Sequence, residues 1–211
     1  ALANWTINLS GSQNDATLTD GNGYYEFANL PVGTYNVAEV MQAGWDNTTP
    51  DAINGLAIQN SDTVLTDNTF GNFELGKISG YKFNDLNGNG LQEPGEEGLI
   101  NWTIQLDAGA NGSVNDTATT DANGNYTFAD LGPGTYRLRE AQQAGWTQTT
   151  VNPSDAVTVS GQNVDDLDFG NFQYGKISGY KLDQQENPLN GWEICLSYPQ
   201  DNESCVFTGT G

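Results

Sequence analysis

Two stretches of this chain are each written twice, about a hundred residues apart, and that periodicity restricts the possible folds more than any other feature. TDGNGYYEFANLPVGTYNVAEVMQAGW at 19–45 returns as TDANGNYTFADLGPGTYRLREAQQAGW at 120–146, and FGNFELGKISGYK at 70–82 returns as FGNFQYGKISGYK at 169–181. Tandem copies of one module build length and surface rather than a single pocket. The expectation is an extended array, as in a stalk, fibre or surface protein.

One copy is whole, residues 76–174. Residues 1–75 read as a copy lacking its first strand and the loop after it, because ALANWTINLS aligns with GLINWTIQLD; residues 175–211 read as the start of a third copy. Such a chain is either a window on a longer tandem array or a subunit that exchanges strands with its neighbours.

Where the chain is apolar it alternates with period two, and helical periodicity is absent. In 101–106 the residues Trp102, Ile104 and Leu106 face one way; Trp5, Ile7 and Leu9 repeat the pattern in 4–9. Further strands are expected over 78–83, 126–129, 135–140, 156–159 and 167–172. The turns between them carry Gly21-Asn22-Gly23, Asn123-Gly124 and Gly132-Pro133-Gly134, residues that tolerate the positive φ of tight hairpins. Short strands at this spacing predict an all-β chain of tandem antiparallel β-sandwich domains. Trp45 and Trp146, each in QAGW, are either exposed ligand platforms or packing residues.

The chain holds 27 acidic residues, 6 basic residues and no histidine, for a net charge of -21. That field repels nucleic acid and anionic membranes and attracts cations. Without histidine most nucleophilic triads and zinc sites lack their parts, so an enzyme is not expected. No apolar run approaches the roughly 20 residues of a bilayer span, so no membrane insertion is expected in this segment. The first residues do not read as a signal peptide, which puts any export signal or anchor outside it.

GYKFNDLNGNGLQEPGEEGLINWTIQL, followed by TTDANGNYTFADLGPGTYRLRE and closed by DFGN, resembles the SdrD B-like repeat, a relative of Cna-B and prealbumin-like domains of microbial surface proteins. The resemblance runs through the whole chain in three registers. It implies Ig-like or prealbumin-like β-sandwich spacers that bind calcium and carry an adhesin away from the cell. The last copy departs from the pattern, with LDQQENPLNGW where the calcium loop would stand.

The loop itself is readable from residue chemistry. Asp85, Asn87, Asn89, a backbone carbonyl at Leu91 and Glu96 fit the pattern D-x-[DN]-x-[DN]-G-x5-E, with Gly90 at the sharp turn. These are hard oxygen donors suited to Ca2+. Strands flank the loop, so a sensor's opening helix pair is unavailable and a structural ion is expected. Glu93 and Glu97 are possible additional donors. Asp165, Asp166 and Asp168 read as a solvated charge run, and Asp20 and Asp121 as turn formers.

The resemblance to Cna-B domains implies a second feature, a spontaneous isopeptide bond between a first-strand lysine and a last-strand asparagine assisted by a buried carboxyl. The matching positions are Lys82, Asn171 and Glu140. In the first copy Glu39 and Asn72 match and the lysine is missing. The other reading of Lys82 is a surface residue paired with an acid.

Cys195 and Cys205 flank a polar turn and are expected to form a disulfide across a hairpin. Asn-x-Ser/Thr occurs at Asn4, Asn8, Asn47, Asn101, Asn111, Asn115, Asn125 and Asn202, about twice what composition would give. Asn4, Asn8 and Asn101 are expected on outward strand faces that suit glycosylation, and Pro50 makes Asn47 the poorest acceptor. The expected function is an extracellular, cell-surface structural module of a stalk, adhesin or filament. Its partners would be neighbouring copies of the same repeat or subunit, in a homopolymer or a longer tandem chain. The alternatives are a ligand-binding adhesin region recognising carbohydrate or protein, and an accessory spacer in a secreted enzyme.

Overall fold

The computed structural model describes residues 1–151, 155–197 and 203–209, and among these every regular element is a strand. Residues 1–173 and 174–211 form two compact units. No helix in the described residues is long and apolar enough to cross a membrane.

Within the first unit the repeat in sequence becomes a repeat in topology. The first copy contributes β1 (Thr6–Gly11), β2 (Asp15–Leu18), β3 (Gly33–Glu39), β4 (Trp45–Asn47), β5 (Ala52–Ile58) and β6 (Asn72–Glu74). Its sheet has the order β2-β1-β3-β5, and β4 pairs with β6. The second copy contributes β7 (Gly76–Asn84), β8 (Thr103–Ala108), β9 (Asp116–Thr119), β10 (Asn125–Leu131), β11 (Thr135–Glu140), β12 (Trp146–Gln148), β13 (Ala156–Val157) and β14 (Phe169–Gln173). Here β13-β11-β8-β9 reproduces the first sheet, and β10-β7-β14-β12 forms a second.

The alternation seen in sequence selects the buried faces. Ile104, Leu106, Tyr136, Leu138 and Ala156 from one sheet meet Ile78, Tyr126, Phe128, Leu131 and Phe169 from the other, with Trp102 among them. Each such side chain contributes about 1.5–3 kcal/mol by leaving water. Trp5, Ile7, Leu9, Tyr35 and Val37 form the corresponding core of the first copy. Tyr25, Phe27 and Phe70 are only half-buried there, whereas their counterparts Tyr126, Phe128 and Phe169 are buried against Ile78 of β7.

A threonine clasp recurs in all three copies. Trp102 N donates to Thr120 Oγ1 (2.9 Å), whose hydroxyl donates to Leu99 O (2.6 Å). Thr19 does the same between Trp5 and Leu2, and Thr208 between Trp192 and Leu189. It closes each hairpin mouth and leaves no buried backbone donor unpaired at the tryptophan.

Several expectations need correction. The strands expected over 4–9 and 101–106 begin two residues later, because Asn4 and Asn101 adopt left-handed φ values of 61° and 60°. Those two asparagines therefore sit in turns ahead of β1 and β8, not on outward strand faces, while Asn8 is on β1 and exposed. The sandwich is not wholly antiparallel, since β14 pairs parallel with β7, the first and last strands of the copy lying side by side. Trp45 and Trp146 are half-buried and meet Trp5 and Trp102 edge-on, at centroid distances of 5.3 and 5.5 Å, as packing residues. Of the acids read as a solvated charge run, Asp165 and Asp166 are exposed and Asp168 is half-buried. Asp165 bonds Ser79 and pairs with Lys77, and Asp168 accepts from Tyr81 N (2.8 Å).

Glycine is required where β7 meets the segment leading into β14. A Cβ on Gly80 would lie 2.1 Å from Leu167 O. At the junction between copies, Leu75 alone separates β6 from β7. Glu74 N donates to Ser160 Oγ (2.8 Å) and Lys77 N to Asn163 Oδ1 (3.1 Å), so the 160–164 loop braces the passage.

In the second unit β15 (Glu193–Ser197) and β16 (Glu203–Phe207) form a hairpin in which Cys195 and Cys205 lie directly opposite and are disulfide-bonded. Their counterparts in the second copy are Gln105 and Thr117, an exposed-face cross-strand pair. Asp183 accepts from Gln185 N and Asn187 N (2.9 and 2.8 Å), the same turn that Asp20 and Asp121 form in the earlier copies.

Candidate functional site

Period two along β7 puts Ile78, Gly80 and Lys82 on the same face, so the lysine enters the core with no solvent exposure. Its Nζ donates to Asn171 Oδ1 at 2.5 Å and to Phe169 O at 3.1 Å. Nζ also lies 3.3 Å from Glu140 Oε2 and 4.5 Å from the Trp102 ring centroid. Asn171, fully buried on β14, donates through Nδ2 to Glu140 Oε1 at 2.8 Å. Glu140, at the end of β11, thus touches both partners.

The three positions matched by resemblance are brought together, and Lys82 is not a surface residue. Burial lowers the Lys82 amine to about 8, against the upward pull of the Glu140 charge. Burial likewise raises the Glu140 carboxyl, with Lys82 and then Asn171 opposing. Both shifts favour transfer of the ammonium proton to the carboxylate. That leaves an amine lone pair beside the Asn171 amide and a carboxylic acid beside its nitrogen, the requirements for amide exchange. The sequence did not point to Trp102 or to the Phe169 carbonyl. Trp102 is signalled only by its recurrence in NWT, and a main-chain acceptor leaves no side-chain signature.

In the first copy Glu39 is buried, Asn72 Nδ2 donates to its Oε2 at 3.0 Å, and Glu39 Oε1 has no hydrogen-bond partner among the described residues. Residues 1–75 contain no lysine, so the amine is missing there. In the third copy Lys181 Nζ lies 4.9 Å over the Trp192 ring, as Lys82 does over Trp102.

The loop after β7 turns through Gly88 and Gly90 at φ of 75° and 78°. Asp85, fully buried, accepts from Gly88 N (2.7 Å), Asn89 N (3.2 Å) and Gly90 N (2.7 Å). Glu96, also buried, reaches back to accept from Leu86 N (2.9 Å) and from Glu93 N (3.0 Å). Asn87 and Asn89 donate their amides to Glu93 Oε2, at 2.6 and 3.2 Å. Leu91 N closes onto Asn89 Oδ1 (2.8 Å).

The residues fit a hard cation. Two buried carboxylates, Asp85 and Glu96, close the loop ends with no ion-pair partner among the described residues, and every side chain between them that could coordinate offers oxygen. The carboxylates do not crowd together. Among the described residues only Glu193, Cys195 and Cys205 bring three candidate atoms within 4.8 Å, and those sulfurs are already bonded to each other. The sugar-acceptor candidates Asn4, Asn8, Asn101, Asn111, Asn115 and Asn125 are all exposed; Asn47 is half-buried, and Asn202 lies outside the described residues.

The SdrD B-like domain model matches residues 76–175. Serine-aspartate repeat-containing protein C of Staphylococcus aureus is 33% identical over 157 residues, covering 69% of this chain and 16% of the relative. The chain thus spans about a sixth of that protein's length. Among solved structures, the Bacillus anthracis TIE protein superposes with a TM-score of 0.41 at 19% identity, over 99% of this chain and 39% of the other. GBS52, a minor pilin of Streptococcus agalactiae, superposes with a TM-score of 0.37 at 13% identity, over 85% and 87%. Both superpositions are loose. The matched segment shares strand order with the copy before it and its opening sequence with the copy after it; residues 76–175 are an SdrD B-like domain.

Proposed function

We propose that the chain is a non-enzymatic, load-bearing segment of an extracellular, cell-surface stalk or filament, whose second copy is reinforced by Ca2+ in the Asp85–Glu96 loop and by an isopeptide bond between Lys82 and Asn171. The observation that carries this reading is the buried contact of Lys82, Glu140 and Asn171 between parallel neighbours β7 and β14. The chain enters this copy on β7 and leaves it on β14, so tension along a tandem array is applied to the two strands that the bond would join.

In the reaction Lys82 Nζ attacks Asn171 Cγ, the new C–N bond forms, and the Cγ–Nδ2 bond breaks. Glu140 accepts the amine proton and returns it to Nδ2, which leaves as ammonia. The Phe169 carbonyl orients the amine, and the surrounding core excludes the water that would otherwise hydrolyse the amide. When bound, Ca2+ would supply positive charge to the loop ends; Asp85, Asn87, Asn89, Leu91 O and Glu96 would hold it. The exposed asparagines in sugar-acceptor motifs would carry glycans on such a surface, and neighbouring copies or subunits are the partners this architecture serves.

Single-molecule extension tests the mechanical role. Lys82 and Asn171 are 89 residues apart, so a linked copy withholds about 300 Å of contour at roughly 3.4 Å per residue. Full extension of residues 76–173 under load would contradict the proposal.

A further inference from the structure

The metal loop and the cross-link pair are not independent features of this copy. The register that holds the reacting strands together is short: Phe169 opposite Lys82, Gly170 opposite Phe83 and Asn171 opposite Asn84. The backbone bond on the reacting asparagine itself comes from the loop's first residue, Asp85 N donating to Asn171 O at 2.9 Å. At the loop's other end Asn84 N donates to Glu97 O, also at 2.9 Å.

The loop also leans on both sides of Asn171. A Cβ on Gly88 would sit 3.7 Å from the Phe172 ring, and one on Gly90 would sit 3.0 Å from Thr149 O. Thr149 N in turn donates to Gly170 O at 2.8 Å. The Asp85–Glu96 loop therefore bonds residue 171 directly, passes beside residue 172 at Gly88 and approaches Thr149, which bonds residue 170; residues 170–172 all lie on the strand that presents the amide.

We propose that closure of the Asp85–Glu96 loop on a divalent cation positions Asn171 for attack by Lys82, so that the cross-link forms in calcium and is held back without it. Asp85 acts here as a positioning residue through its backbone and its place in the loop. Asp85, Glu93, Glu96 and Glu97 lie within thirteen residues of a chain whose net charge is -21. Without a cation the loop is closed only by its own hydrogen bonds, so it opens more readily, the Asp85–Asn171 bond frays with it, and the amide leaves the amine. With a cation the loop is fixed, and the reacting atoms stay in contact long enough for the exchange that Glu140 assists. A chain made where calcium is scarce and delivered where it is abundant would lock only on arrival. The inference rests on the cross-link and the calcium loop proposed above.

The test uses the full chain, produced at limiting calcium and purified in EGTA. Intact mass is then followed over time in EGTA, in magnesium chloride and in calcium chloride. A deficit of about 17 Da from lost ammonia should accumulate roughly ten-fold faster or more in calcium chloride than in EGTA. Glu96→Gln, checked for retained β-sheet circular dichroism, should remove the acceleration by calcium chloride. Asp85→Asn provides a second variant at the other loop end. Equal rates in EGTA and calcium chloride, or a deficit already complete in the EGTA-purified chain, would overturn the coupling while leaving the bond in place. No deficit in any arm would overturn the bond, and the coupling with it.

Discussion

Lys82 Nζ and Asn171 Oδ1 are 2.5 Å apart in a region of the core that no water reaches, with the Glu140 carboxyl touching both side chains. A buried lysine is costly unless paired or consumed. Here the groups that pair with it are also the groups that could convert it into a neutral amide.

Replacing Glu140 separates these roles. Glu140→Ala should abolish the cross-link and leave Lys82 without its counter-charge, lowering stability by about 3–5 kcal/mol in urea unfolding. Lys82→Met combined with Glu140→Gln also abolishes the bond but removes both buried charges, so its loss relative to an unlinked reference, Asn171→Ala, should be near zero or a gain. Equal destabilisation by Glu140→Ala and by the Lys82→Met, Glu140→Gln double variant would contradict the assignment of a buried pair.

An unlinked chain should show a pH signature that the linked chain lacks. In Asn171→Ala the Lys82 amine remains, with a folded value near 8 against the ordinary 10.5. Between those values the unfolded chain binds more protons than the folded one, so stability should climb as pH rises through that window. Below about 8 both states carry the charge and the burial penalty is fully present. Glu140 works oppositely on the acid side: its raised folded value makes stability fall as pH rises above 4.5. Buried Tyr126, raised above the ordinary tyrosine value by burial, makes stability fall above about pH 10 in both chains, so the signature is the difference. The urea midpoint of Asn171→Ala should climb relative to that of the wild type between pH 8 and 10.5, because an amide nitrogen does not titrate there.

Calcium should stabilise the second copy by mass action. With free calcium at a hundred times its dissociation constant the gain is about 2.7 kcal/mol. Glu96→Gln removes one of the two buried carboxylates and should lose most of that gain. Thermal unfolding in calcium chloride and in EGTA checks it; identical midpoints for the wild type would count against the loop as a calcium site.

Gly80→Ala should damage the same site from a distance. Its Cβ would fall 2.1 Å from Leu167 O, a backbone atom that cannot rotate away. The segment leading into β14 must shift, moving Asn171 from Lys82, so the variant should lose stability and fail to lose ammonia even with Lys82, Glu140 and Asn171 intact. Normal cross-linking in Gly80→Ala would show that the strand register tolerates more movement than the contact suggests.

What was legible in the sequence was what repeats or alternates. Trp102, Ile104 and Leu106 announced a buried face, and the turn role of Asp121 followed from the Asn-Gly after it. Two features were hidden. A parallel pairing of β7 with β14 depends on backbone bonds between residues far apart, which side-chain patterns do not encode. The positive φ at Asn4 and Asn101 was masked because asparagine at a strand mouth reads as polar alternation until the turn is seen. Lys82 stood between these cases. Its position opposite Asn171 followed from family resemblance, but only its inward alternation from Ile78 explains why a charged residue is buried.

The most direct measurement is the intact mass of the chain, fully unfolded, reduced and freed of any sugar, beside that of Lys82→Met. After allowance for the substitution, the account predicts a wild-type mass about 17 Da low, with a branched Lys82–Asn171 peptide after digestion, and no deficit in the variant. A wild-type mass equal to that of the unmodified sequence, after exposure to calcium chloride, would contradict it.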